Sequence, residues 1–299
     1  MRILITGGTG FIGKACTKFL TAKEHEVIIL TKNKDKAPLY AKVISEIDEI
    51  KKNDKIDVII NLAGAPIDKR WTAEYKNELI SSRVDITGQV ISLIERLKTK
   101  PKLLISASAI GYYGCQGGEK LVEKSAPVTN FTHELCKTWE DEALKAENYG
   151  VRVCIARLGV VFGIGGGMIE KLLPSFKSGL GKKLGDGSQY LSWVHLHDVV
   201  RAFNFFIKND SCSGTYNITA PNPITNEQFT TAMNDSLNLP TFLFIPAVLI
   251  KLIYGEMGET LLLKGQYVTP KKLLDEDFRF KFNTIEEALS QVLENQKQL

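Results

Sequence analysis

Residues 6–13 read Thr-Gly-Gly-Thr-Gly-Phe-Ile-Gly, a run that few folds accommodate. It follows a short apolar stretch, residues 2–6, that stops at glycine as a buried strand does. It opens a segment in which Phe11, Ile12, Ala15, Phe19 and Leu20 recur at helical spacing. A strand that turns through glycines into a helix is a phosphate cradle. Gly7 permits the tight turn, Gly10 lets the backbone approach a pyrophosphate, and Gly13 lets helix and strand pack closely. The helix N-terminus adds free N–H groups and a positive dipole end. Thr9, Phe11 and Ile12 share this turn and join the three glycines as candidate cofactor-binding residues.

The rest of the chain repeats the strand–helix alternation. Strands are predicted at residues 26–30, 56–61, 102–106 and 151–156, with amphipathic helices at about 73–97 and 131–147. This pattern implies an α/β, Rossmann-type, doubly wound parallel sheet with right-handed crossovers. After about residue 163 the pattern changes. Short strands at 192–195 and 215–218 flank a helix at 197–208, and the chain is mostly helical from Pro246. We expect residues 1–245 to form the dinucleotide-binding unit, with a smaller mixed α/β substrate part after 163, and residues 246–299 a helical C-terminal unit. The apolar run from Phe242 to Ile253 reads most simply as core or as a subunit contact.

The end of the second strand bears on which cofactor fits. A carboxylate there would bond the ribose hydroxyls of NAD. This chain has Thr31 and then Lys32, so no acid at that position repels a 2′-phosphate and Lys32 can neutralise one, with Lys34 and Lys36 adding positive potential. NADP(H) is the expected cofactor. Asn61-Leu62-Ala63-Gly64 closes the third strand, and the small Ala63 and Gly64 would let the cofactor lie against backbone; Leu62 belongs to the same contact. Composition excludes other classes. Lys plus Arg is 38 against 34 acids, a net +4 with no basic block, which gives no support for a nucleic-acid partner. The longest apolar run is too short to span a bilayer, so no membrane partner is expected. Five scattered cysteines without a Cys-x-x-Cys pair, and His195-x-His197 as the nearest thing to a ligand set, imply no metal site and a reduced, cytoplasmic protein.

Taken together, Thr6–Gly13 and Asn61–Gly64 resemble the extended short-chain dehydrogenase/reductase superfamily, in its epimerase/dehydratase branch. Ser106 to Gly114, Trp139-Glu140, Arg157 to Val161, Ser192 to His195 and Asn217 to Pro223 narrow the resemblance to the poorly characterised "epimerase family protein" group. Gly255 to Leu274 is similar to the domain of unknown function that ends those proteins. The resemblance implies an NADP-binding Rossmann fold and dimers, and marks Glu78, Arg83 and Val160 as cofactor contacts.

The resemblance also implies a Tyr-x-x-x-Lys pair with a nearby Ser or Thr, and here the chain departs from the pattern. The corresponding helix reads Phe131 to Glu140 and holds His133-x-x-x-Lys137 in one register, Thr132 and Cys136 in the other. Neither contains tyrosine. Ser108 remains as a hydroxyl at a strand end, Tyr112 and Tyr113 are the nearest phenols, and Lys137 is a cation that the fold could bring to one of them. His133, with an ordinary pKa near 6.5, is the other acid/base candidate. The expected catalytic set is Ser108, Tyr113 and Lys137. The expected function is NADP(H)-dependent oxidoreduction or epimerisation of a small polar, sugar-nucleotide-like substrate. The rival readings are a dinucleotide-binding sensor without turnover and an assembly protein that uses the C-terminal helices.

Overall fold

The computed structural model describes residues 1–179, 181–239 and 244–296. Seven parallel strands form its central sheet: β1 (Arg2–Thr6), β2 (Glu26–Leu30), β3 (Lys42–Ile44), β4 (Val58–Asn61), β5 (Leu103–Ala109), β6 (Arg152–Leu158) and β7 (Gly214–Ile218). Their spatial order is β7-β6-β5-β4-β1-β2-β3. The winding reverses between β1 and β4, and that switch point opens a crevice at the carboxyl ends of the strands. Ile3 to Ile5, Val58 to Ile60 and Leu103 to Ile105 are all buried, as strands covered on both faces require.

The helices are α1 (Phe11–Thr21), α2 (Ala73–Arg96), α3 (Phe131–Leu144), α4 (Gly167–Lys177), α5 (Leu196–Lys208), α6 (Asn226–Ser236), α7 (Ala247–Met257), α8 (Lys271–Asp275) and α9 (Ile285–Gln296). Alternate strand residues feed two cores. Ile3, Ile5 and Ile60 pack under Cys16 and Leu20 of α1 and Phe203 and Phe206 of α5. Leu4, Ile59 and Leu104 pack under Val90 and Ile94 of α2 and Ala143 of α3. The sheet is therefore doubly wound, as the alternation predicts.

Two expectations change. The strand at 214–218 joins the central sheet through β6 and does not belong to the smaller part. Residues 42–44, where no strand is predicted, form the edge strand β3 beside β2. With three residues, one of them an exposed lysine, it is too short to show a periodicity. A third core holds Phe162, Trp193, Phe229 of α6, and Ile285, Leu289 and Val292 of α9. Gln266–Val268 pairs in parallel with Gly117–Leu121, so the C-terminal segment threads back beside the loop after β5. Of the apolar run 242–253, residues 242 and 243 lie outside the described residues; Val248, Leu252 and Ile253 are exposed, so the core reading does not hold for them. Among the described residues no helix is long and apolar enough to cross a membrane.

Candidate functional site

The glycine loop has the close contacts that its sequence predicts. Gly7 sits at φ +66°, and a Cβ there would lie 2.9 Å from the Leu62 carbonyl oxygen. A Cβ on Gly13 would lie 2.3 Å from the Gly7 carbonyl oxygen. The Gly10 N–H closes the turn on Gly7 at 3.0 Å. Gly10 then caps α1 without a side-chain bond, and no acid occupies the first turn. The first N–H groups of α1 thus keep their donors for an anion. Behind the loop, Thr6 Oγ1 donates to Asn61 Oδ1 at 2.6 Å and accepts from the Leu62 and Ala63 N–H groups. Asn61 Nδ2 donates to Thr87 and Ser106. This buried network fixes the carboxyl ends of β1, β4 and β5 at one level.

Beside the loop lies a cleft of about 1120 Å³ that brings together Gly7, Thr31, Lys32, Ala63, Gly64 and Glu78. Thr31 is buried and bonds Thr9 across the mouth at 3.0 Å, whereas Lys32 is exposed on the cleft wall. Lys34 is also exposed; the side chain of Lys36 lies outside the described part of the molecule. Four acids share the wall, Glu46, Asp48, Glu78 and Asp85; of these the Glu46 side chain caps the turn at 47–49, and Asp48 pairs with Arg96 at 3.2 Å. Sequence reasoning missed Arg96, because it lies at the far end of the long α2, away from every loop motif.

The remaining cofactor candidates separate into those that face the cleft and those that support it. Arg83 donates to the Leu79 and Ala65 carbonyls, and its guanidinium carbon lies 3.0 Å from where a Gly64 Cβ would stand. Gly64 is small because Arg83 passes beneath it. Burial holds the Arg83 pKa below its usual value. Ile12 and Leu62 are partly buried, with their side chains packed against the core under α1. Val160 packs into the third core and donates its N–H to the Ser192 carbonyl. The Phe11 ring lies against Gly163, Gly166 and Gly167, whose Cβ positions would fall 2.5–3.1 Å from it. These glycines are required here by packing on Phe11, and Gly163 also by Leu196.

The catalytic expectation needs correction. Ser108, Arg157 and Asn217 are register neighbours across β5, β6 and β7. They build a buried polar row of their own. Arg157 forks onto Glu140 of α3 through Nε at 2.9 Å and Nη2 at 2.8 Å. Ser108 donates to the same carboxylate at 2.6 Å. Arg157 Nη1 donates to the Tyr113 hydroxyl, which itself donates to Asn217 Oδ1 at 2.7 Å. Burial opposes the charge on Arg157, but the paired bonds to Glu140 outweigh it and raise its pKa. Burial also pushes Tyr113 up to about 12 despite Arg157. Ser108 and Tyr113 are thus brought together, but inside the protein and with their hydroxyls engaged. Lys137 is not part of the row: it is half exposed and paired with Asp141 one turn along α3.

The other residues of that helix are also accounted for. Thr132 and Cys136 face Gly111, and burial pushes the Cys136 thiol up to about 11, away from the thiolate form. His133 is buried, with Nδ1 2.6 Å from the Tyr112 carbonyl oxygen. Arg157 stacks over Tyr112 at 3.3 Å. Sequence reasoning missed the Glu140–Arg157 pair. Its one signal was an arginine in an otherwise apolar buried strand, a position that demands a carboxylate partner.

Comparison with known proteins agrees with this architecture. Residues 3–219 match the model of the NAD dependent epimerase/dehydratase family, and residues 245–292 match a domain of unknown function, DUF1731. The epimerase family protein YfhF of Bacillus subtilis is 38% identical over 99% of this chain and 99% of its own length. The chloroplastic epimerase family protein SDR39U1 homolog of Arabidopsis thaliana is 36% identical over 98% of this chain and 87% of its length. The crystal structure of human epimerase family protein SDR39U1 with NADPH superposes with a TM-score of 0.90 at 28% identity, covering 99% of this chain and all of that one. A seven-stranded parallel sheet, an uncapped glycine turn at its switch point and relatives that match along their whole length converge on one conclusion: the chain belongs to the NAD dependent epimerase/dehydratase family, within the extended short-chain dehydrogenase/reductases.

Proposed function

We propose that the protein is an NADP(H)-dependent oxidoreductase of the extended short-chain type that acts on a small polar substrate. The observation that carries this reading is the end of β2: Thr31 and Lys32 stand where a ribose-binding carboxylate would exclude a 2′-phosphate, and the acids on the facing turn, Glu46 and Asp48, already have partners. The residues fit the cofactor. Gly7 and Gly13 let the turn and α1 close against backbone where any Cβ would clash, Gly64 does the same over Arg83, and α1 presents uncapped N–H groups to a pyrophosphate. Lys32 would meet the 2′-phosphate, and Ala63 and Gly64 would lie along the nucleotide. The binding of NADPH by the human relative supports the same assignment.

Bound there, the nicotinamide supplies or accepts a hydride. The chain's own contribution is orientation. Ser108, Tyr113, Glu140 and Arg157 fix the ends of β5 and β6, and act as positioning residues. Lys137 stabilises α3 from outside. NADPH and NADH titrations followed by nicotinamide fluorescence test the reading. Saturable binding that favours NADPH is expected; equal affinity for both would remove the assignment of Lys32, and no binding of either would remove the reading itself.

A second reading, an NADP(H)-binding sensor without turnover, is favoured by one observation: no tyrosine lies on α3, and Ser108 and Tyr113 are buried. Transfer of deuterium from labelled NADPH to any member of a ketone and nucleotide-sugar panel separates the two, because a sensor would bind the cofactor and transfer nothing.

A further inference from the structure

The glycine turn is one link in a closed ring of contacts. On one side Gly7 lies against the backbone of Leu62 and Ala63, where a Cβ would stand 2.9 Å from the Leu62 carbonyl oxygen. The chain runs on from there as the loop 62–72, which is pinned to α2. The Ala65 N–H donates to Ser82 Oγ at 2.9 Å, Arg83 donates to the Ala65 carbonyl at 3.0 Å, and the Tyr75 hydroxyl donates to the Pro66 carbonyl. Trp71 Nε1 donates to the Ile67 carbonyl at 2.9 Å. On the other side the Phe11 ring, at the start of α1, packs on Gly166 and Gly167 at the start of α4. The two sides meet where Asp68 of the pinned loop pairs with Lys171, one turn beyond Gly167 on α4. The other links are backbone contacts or ring packing, whereas this one joins two exposed side chains.

We propose that the Asp68–Lys171 pair is a clasp over the dinucleotide, which must open for the cofactor to enter or leave. On the NADP(H) reading above, on which this inference rests, the pyrophosphate lies on the glycine turn and so inside the ring. The adenosine half then lies on one side of it, in the cleft at Thr31 and Lys32, and the nicotinamide half on the other, towards the ends of β5 and β6. A ligand with a bulky ring at each end cannot leave sideways while the ring is closed. The ion pair is the link that yields. The loop is held by α2 and the start of α4 by Phe11, but exposed side chains re-orient freely. The strength of the pair therefore sets the fraction of time that the ring stands open. A clasp of this kind changes the rates of entry and exit together and leaves affinity nearly constant, which a direct contact to the cofactor would not do.

Stopped-flow measurement of NADPH release from the full chain, displaced by excess NADP and followed by nicotinamide fluorescence, tests the proposal. Asp68→Asn and Lys171→Met should each speed release by roughly two- to fivefold, the range set by an exposed ion pair. The exchanged pair, Asp68→Lys with Lys171→Asp, should return release to the wild-type rate. Lys171 also attracts the anionic cofactor, so association is compared for Asp68→Asn: it should rise with release and hold the Kd within about twofold. Salt at about 0.5 M should bring the wild-type release rate close to that of Asp68→Asn, because it screens an exposed pair. Variants that bind NADPH and release it at the wild-type rate overturn the clasp alone. Faster release with unchanged association in Asp68→Asn also overturns it, since the side chain would then act on the bound cofactor directly. A wild type that binds no NADPH removes the cofactor reading and the clasp together.

Discussion

At the scale of single residues, two buried side chains and one exposed one make opposite demands. Lys32 is exposed, so its removal costs the fold little, yet on the proposed reading it is the charge that would meet a 2′-phosphate. A charge-assisted bond of this kind contributes about 1.5–3 kcal/mol. Lys32→Glu should therefore weaken NADPH binding by roughly 10–100-fold and leave NADH nearly unchanged, as read by titration calorimetry. Ser108 is the reverse. Its hydroxyl donates to the buried Glu140, so Ser108→Ala should lower stability by about 1.5 kcal/mol in urea while NADPH affinity holds. A Ser108→Ala protein with unchanged stability would return the hydroxyl to catalysis. Glu140→Leu leaves the guanidinium of Arg157 buried without its partner, and should cost about 3–5 kcal/mol. Lys32 was legible in the sequence because its position follows from a strand end. The Glu140–Arg157 pair was not, because its partners come from a helix and a strand whose register only the fold decides.

At the scale of elements, the first βαβ unit was readable almost residue by residue. Strand β1 ends where the glycines begin, and α1 starts at Phe11, the first residue of its apolar spacing. Local rules suffice there because the turn's steric demands are met within the unit itself. The Gly13 contact gives a sharp test. A methyl 2.3 Å from the Gly7 carbonyl cannot be relieved by a side-chain rotation, since the atom it meets is backbone. Gly13→Ala should push α1 away from β1, lower the urea midpoint and remove most NADPH affinity together. Loss of affinity with full stability would mean that Gly13 serves the ligand alone. Elsewhere, element type was easier to read than element membership. The strand at 214–218 was visible from its β-branched and aromatic residues, but its place at the edge of the central sheet was not. That place depends on α5 crossing over to pack beside α1, a contact between segments far apart in the chain. The packing role of Gly163, Gly166 and Gly167 was hidden for the same reason: the ring they pack on, Phe11, lies more than half the molecule away in sequence.

At the scale of the whole molecule, the C-terminal segment is held to the Rossmann core around the start of α5, and this junction makes stability depend on pH. His195 caps α5: its Nδ1 accepts the His197 N–H at 3.1 Å, and its Nε2 lies 2.9 Å from Gln291 Oε1 on α9. Those partners require a neutral ring with the proton on Nε2. Beside it, the Phe282 ring centroid is 3.9 Å away, and Asp198 accepts the N–H groups of Lys281 and Phe282. Burial lowers the His195 pKa from 6.5 to about 4. Between those values the unfolded chain binds a proton that the folded chain refuses, so stability is fully present above about pH 6.5 and falls as the pH drops towards 4. The full shift corresponds to about 3 kcal/mol. His195→Gln removes the titration, and its side chain is long enough to reach Gln291. Urea unfolding of both proteins from pH 7.5 to 4.5 should show the wild type losing stability relative to the variant as the pH falls, with the difference constant above neutrality. Shifts at His197 and at the carboxylates are common to both chains and cancel in that difference. Parallel curves across the whole range would mean that His195 already titrates normally in the folded protein, and that the C-terminal segment is not clamped over it.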